Sequence, residues 1–94
     1  MINKKASINV EIGSIVESKC GRDAGKHYLV VAHASQLDHV LCSDGNCRKL
    51  SNPKKKRMKH LKVVTNVPVL KQKLLEGSKV FDSEIFSAIS SNLQ

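Results

Sequence analysis

The chain has no tryptophan and only three aromatic residues among its 94, Tyr28, Phe81 and Phe86. Its core therefore has to be aliphatic, and a row of rings reading single-stranded bases one after another is argued against. It has no long apolar run: the longest, 28–32, falls far short of the roughly 20 apolar residues that a bilayer span requires. No transmembrane helix is expected. Cysteine is sparse and odd in number, at Cys20, Cys42 and Cys47, which fits thiols in a reducing compartment rather than a disulfide framework. Lys4 and Lys5 imitate the start of a signal peptide, but Asn9, Glu11 and Gly13 interrupt any apolar stretch behind them, so the chain is expected in the cytoplasm. The length allows one small core and excludes a cleft between two domains. No Ser/His/Asp or Cys/His constellation is evident, and residues 21–25 have the glycine spacing of neither a dinucleotide fingerprint nor a P-loop. Neither enzymatic activity, a cofactor nor a small-molecule substrate is expected.

Acidic residues are missing from one long stretch, and this is the most informative absence. Residues 1–47 are neutral, residues 48–73 carry ten Lys or Arg and no Asp or Glu, and residues 74–94 carry a charge of −2. The net +8 therefore originates in the middle segment. A polyanionic partner is the first inference from such a run.

Short β elements come first along the chain. Residues 12–19 read as a strand whose alternation is broken by the adjacent Ile15 and Val16, and the turn-rich 20–25 follows. Residues 26–33, with Tyr28 to Ala32 at their centre, read as a strand buried on both faces, paired with the first as a hairpin. Residues 37–42 form a third strand, and Asp44-Gly45 is a two-residue turn signal leading to a fourth at 47–50. On that register Cys42 and Cys47 face each other within disulfide reach. Residues 58–61 read as one helical turn, and Val63-Val64 as a last strand that closes a small barrel. Pro68 suits the first turn of a helix carrying Val67, Leu70 and Leu74 on one face and stopped by Gly77. Asp82 is placed to cap a second helix with Ile85, Ala88 and Ile89 as its apolar stripe.

Residues 12–16, the loop Cys20-Gly21-Arg22-Asp23-Ala24-Gly25-Lys26, and Tyr28-Leu29-Val30-Val31 resemble a KOW motif, with Gly25 at its hallmark loop glycine. The likeness continues through 41–45, Arg48-Lys49, Pro53-Lys54-Lys55-Lys56-Arg57 and Lys59-His60-Leu61. Over roughly residues 10–90 the chain is similar to the archaeal and eukaryotic type of large-subunit ribosomal protein fourteen and to its short bacterial relatives. The resemblance implies a mainly β fold: an N-terminal tail at 1–9, an SH3-like KOW barrel at 10–65 including a basic segment at 48–62, and a two-helix appendage at 66–94. It also implies non-enzymatic binding of RNA, most often ribosomal RNA; the free chain is expected to be a monomer.

The residues themselves point to the same partner chemistry. Lys and Arg neutralise phosphates and release counterions. Gly21 and Gly25 would let the first loop bring its backbone, with Arg22 and Lys26, close to a phosphate. The expected RNA-binding set is Gly21, Arg22, Gly25, Lys26, Arg48, Lys49, Lys54, Lys55, Lys56, Arg57, Lys59, His60 and Lys62. His39, Cys42 and Cys47 are the nearest approach to a metal cluster, but the odd offset in a strand sends His39 and Cys42 to opposite faces, so no metal is expected. Three other readings of the basic segment stay open: a protein-interaction module of SH3-like type, a transcription-elongation KOW factor, and, for 53–59 (PKKKRMK), a nuclear address.

Overall fold

The structure is a computed structural model that describes residues 10–92; the expected tail at 1–9 lies outside them. Five strands, β1 (Ser14–Ser18), β2 (His27–His33), β3 (His39–Ser43), β4 (Lys54–Arg57) and β5 (Leu61–Asn66), precede two helices, α1 (Pro68–Glu76) and α2 (Asp82–Asn92). One-turn 3-10 helices occupy Gly21–Asp23 and Met58–His60. The strands form a single antiparallel sheet in the order β4-β3-β2-β1-β5. The fold is mainly β, and none of its described helices is long and apolar enough to cross a membrane.

The adjacent Ile15 and Val16 follow from burial of both faces of this sheet. Successive side chains in a strand point to opposite faces. Val16 accordingly joins Val10, Tyr28, Val30, Val40, Cys42 and Leu61 in one cluster, while Ile15 joins Leu29, Leu70, Ile85 and Ile89 in the other. The helices cover the second face; the curl of the sheet and Met58 enclose the first. Two bulges increase the curl: Val31 is an extra residue on β2 against β3, and Val64 one on β5 against β1. The outermost strands, β4 and β5, are consecutive in sequence and joined only by Met58–His60, so the sheet has to wrap for three residues to bridge its two edges. No ladder pairs β4 with β5, and the sheet stays open along that seam.

Three local expectations differ from what forms. Residues 47–50 are not a strand. Asp44 Oδ1 accepts the amides of Asn46 and Arg48, each at 2.8 Å, while the Arg48 carbonyl receives the Asp44 amide and the Ser43 hydroxyl. Those local bonds engage the backbone groups that a strand would need, and pairing resumes only at β4, where Lys54 lies opposite Cys42. Cys42 is thus not opposite Cys47: it is buried, Cys47 is exposed, and both are free thiols, as is Cys20. Asp82 does not cap α2. Its Oδ1 accepts the Leu50 amide at 2.7 Å, and the exposed helix start is served instead by Glu84, whose Oε1 accepts the Phe81 amide at 3.0 Å.

The 44–53 loop is thereby fixed to α2. Gly45 has φ +75°, and a Cβ there would run into the Asp82 carbonyl and lie 2.9 Å from the Phe86 amide. Only glycine lets the loop pass so close to the helix. Pro68 and Gly77 bound α1 as expected, the Gly77 amide donating to the Leu74 and Lys73 carbonyls.

Burial pushes the Cys42 thiol up to about 12, which removes its thiolate at neutral pH. Alkylation of the native protein is expected to label Cys20 and Cys47 promptly and Cys42 only on unfolding, and mild oxidant is expected to leave no intramolecular Cys42–Cys47 bond. Mass spectrometry of digests reads both; Cys42 labelled as fast as Cys47 would contradict this loop and register.

Candidate nucleic-acid interface

β1 and β3 are both antiparallel to β2, so the loops that follow them, at 19–26 and 44–53, leave the same end of the sheet. β5 also begins at that end, Leu61 lying opposite Ser18. The expected site residues outside β4 therefore converge: Gly21, Arg22, Gly25 and Lys26 in the first loop, Arg48 and Lys49 in the second, Lys59 and His60 in the 3-10 turn, and Lys62 at the start of β5. The Lys19 amide donates to the His60 carbonyl at 2.8 Å, which joins the root of the first loop to the turn before β5. Lys19 is not in the expected set, although a cation two residues before a glycine-bounded loop places it beside that set.

Alternation along β4 divides its basic run. Lys54 and Lys56 lie on the same side as Cys42 and Val40, their ladder partners in the enclosed cluster, while Lys55 and Arg57 lie on the other face. The two inward ammonium groups meet the carboxylate of Asp23: Lys54 Nζ hydrogen-bonds Oδ2 and Lys56 Nζ lies 3.5 Å from it. Lys26 Nζ, more exposed, stands 3.8 Å from Oδ1. Asp23 is buried, and the hydrogen bond from Lys54 holds its carboxyl below the usual 3.8, against the opposing effect of burial. Burial first, then the charge of Asp23, pushes the neighbouring Tyr28 phenol up to about 12. Lysine stems run along the apolar cluster while the charged heads reach the carboxylate, which is how a basic strand can edge a hydrophobic core.

The charge separation read along the chain is thus partly undone in space. Lys54 and Lys56 pair with Asp23, Lys71 with Glu11 at 2.7 Å, and Lys73 with Glu84 at 2.7 Å. Among the described residues, Arg48, Lys49, Lys55, Arg57, Lys59 and Lys62 of the middle segment make no ion pair, nor do Lys19 and Arg22. The acids of the two loops turn inward, Asp23 to the lysines and Asp44 to backbone amides. What faces out at this end is predominantly cationic. A nuclear address has to be presented as free peptide, whereas 54–57 is paired into the sheet with two of its lysines bound to Asp23.

The first loop uses its glycines for shape. Gly25 has φ +89° with nothing within 4 Å of a built Cβ, and its amide donates to the Ser18 carbonyl at 2.8 Å. That amide closes the hairpin and is not available to a phosphate, so the loop offers the side chains of Arg22 and Lys26 rather than the Gly25 backbone. Among the described residues no three His, Cys, Asp or Glu side chains are grouped to hold a metal ion.

Gly25→Val is expected to lower stability by about 1–2 kcal/mol through the left-handed backbone alone, read as a shifted denaturant midpoint. Asp23→Asn is expected to destabilise by about 1–3 kcal/mol because it leaves two lysines facing each other without a counter-charge. A carboxyl whose folded pKa lies below its unfolded value contributes stability that is complete above the unfolded value and vanishes as the pH falls through the folded one. The stability gap between the parent and Asp23→Asn should therefore be full at neutral pH and close as the pH drops below 3.8, the ordinary value for the group. A gap independent of pH would show that the carboxylate charge is not what joins loop to strand.

No family model matches the chain, and no curated protein is significantly similar to it.

Proposed function

We propose that this chain is a non-enzymatic RNA-binding domain, its curled five-stranded sheet an SH3-like barrel of the KOW type, acting on ribosomal RNA as a ribosomal or ribosome-associated protein in the cytoplasm. One observation carries the reading. Two loops, a 3-10 turn and the start of β5 place Lys19, Arg22, Arg48, Lys49, Lys59 and Lys62, none of which makes an ion pair among the described residues, at one end of the sheet. Both loop acids point inward there, and Lys26 stands 3.8 Å from Asp23. Cations without local counter-charges are what phosphate neutralisation requires, and the released counterions make such binding salt-dependent. Lys55 and Arg57 extend the surface along the outside of β4. Shape and backbone recognition fits this surface better than a base-by-base code, since it contains no row of aromatic side chains.

The test is a salt series of binding to ribosomal RNA. Log affinity should fall with log salt by about 0.7–0.9 for each phosphate contacted. Replacing Lys19, Arg22, Lys59 and Lys62 together with Gln should weaken binding and flatten that slope by roughly three units if each meets one phosphate. Lys55→Ala with Arg57→Ala should flatten it by less. Lys71→Gln with Lys73→Gln, whose charges are already paired, should leave it unchanged. Lys54→Ala and Lys56→Ala should act on stability first. A slope unaltered by the quadruple substitution would refute the assignment of this end.

A further inference from the structure

Phe81 and Phe86 both expose about half their surface, at 55% and 50%, but in different surroundings. The ring of Phe81 is covered by the Lys79 ammonium, 5.2 Å from its centroid. Phe86 instead lines a cleft of about 260 Å³ between α2 and the two loops of the basic end, together with Lys26, His27, Asp44, Asn46 and Ile89. Gly45 brings the second loop against the Phe86 backbone, and the Asp44 hydrogen bonds hold that loop in shape, so the cleft is built into the fold. One wall is aromatic and aliphatic, from Phe86 and Ile89. The other is polar, from Asn46, Ser90, His27, whose Nε2 lies 3.9 Å from Glu17, and Asp44, whose Oδ1 is engaged by the Asn46 and Arg48 amides. Lys26 stands at the rim with its side chain 64% exposed and its Nζ 3.8 Å from Asp23.

We propose that this cleft receives a single unstacked nucleobase of the bound RNA against the ring of Phe86, its edge toward Asn46 and His27 and its phosphate on Lys26. The inference rests on the RNA-binding reading and adds to it a site for an unpaired base at a surface otherwise suited to backbone. Aromatic faces take up splayed-out bases whatever their sequence, and an amide side chain can both donate to and accept from a base edge. The cation at the rim and the continuity of the cleft with the exposed Lys and Arg surface favour a nucleotide over an apolar peptide. This amounts to one stacking position, not a platform.

The absence of tryptophan makes the test direct. Phe86→Trp introduces a single indole whose emission a stacked base should quench. The probes are a stem-loop RNA with an unpaired loop, the same stem as a blunt duplex, and adenosine monophosphate. The stem-loop is expected to quench strongly, and the duplex and the free nucleotide weakly at equal concentration. Phe86→Ala is expected to reduce stem-loop affinity roughly 5- to 100-fold, to reduce duplex affinity little, and to leave the salt slope unchanged; Phe86→Trp should retain parental affinity. A Phe86→Ala protein that melts like the parent yet binds the stem-loop equally well overturns the site, as does an indole unquenched by bound stem-loop, in either case with RNA binding itself intact. Equal quenching by the free nucleotide overturns its assignment to RNA. Loss of the salt-sensitive binding in the parent overturns the functional reading and this site together.

Discussion

The Asp23 carboxylate receives the ammonium groups of Lys54 and Lys56 from an edge strand 31 and 33 residues further along the chain. The sheet is open between β4 and β5, and the first loop lies against that opening, tied to β4 by this ion cluster and to the Met58–His60 turn by the Lys19 amide. Desolvating a carboxylate is unfavourable unless its lone pairs are met. Here the partners come from a strand that has no apolar side chain to bury, so one arrangement satisfies the acid and anchors the strand. It ties the first loop to β4 beside Tyr28 and Cys42, while the bulges at Val31 and Val64 and the short Met58–His60 connection curl the sheet around them.

The same cluster shapes the surface. Two lysines turn inward to a carboxylate that supplies less charge than they carry, while their neighbours Lys55 and Arg57 stay outside. The segment most basic in sequence is therefore partly neutralised by the fold, whereas unpaired cations gather at the end of the sheet, where loops from separate parts of the chain meet and the two loop acids are engaged by internal bonds. What such a surface offers to any polyanion is set by which charges the fold leaves unpaired, not by how many the chain contains.

A second tether, from Leu50 and Gly45 to α2, gives the other loop its place. Without it, residues 44–53 would lose their link to the helix, and the cleft beside Phe86 would lose the part of its polar wall that Asn46 supplies. The helices thus do two things: they cover the Ile15 and Leu29 face of the sheet, and they hold a loop at the basic end.

Local chemistry was enough to place β1, β2, the Met58–His60 turn and both helices, because hydrophobic runs, Pro68 and Gly77 act on their own neighbours. It also sufficed for the excess of cations in the middle of the chain. The position of β4 was not legible: Lys-Lys-Lys-Arg has neither β-branched nor alternating residues, and it is a strand because Cys42, Val40 and Asp23 lie beside it. Nor was the fate of 47–50, where Asp44 and Ser43 side chains captured the backbone before it could pair. The burial of both sheet faces, which explains Ile15 beside Val16, depended on helices more than fifty residues downstream. Which lysines stay free for a partner was decided only in three dimensions, because Asp23, Glu11 and Glu84 lie 31, 60 and 11 residues from the cations they pair with, and such pairings leave no periodic trace in the chain.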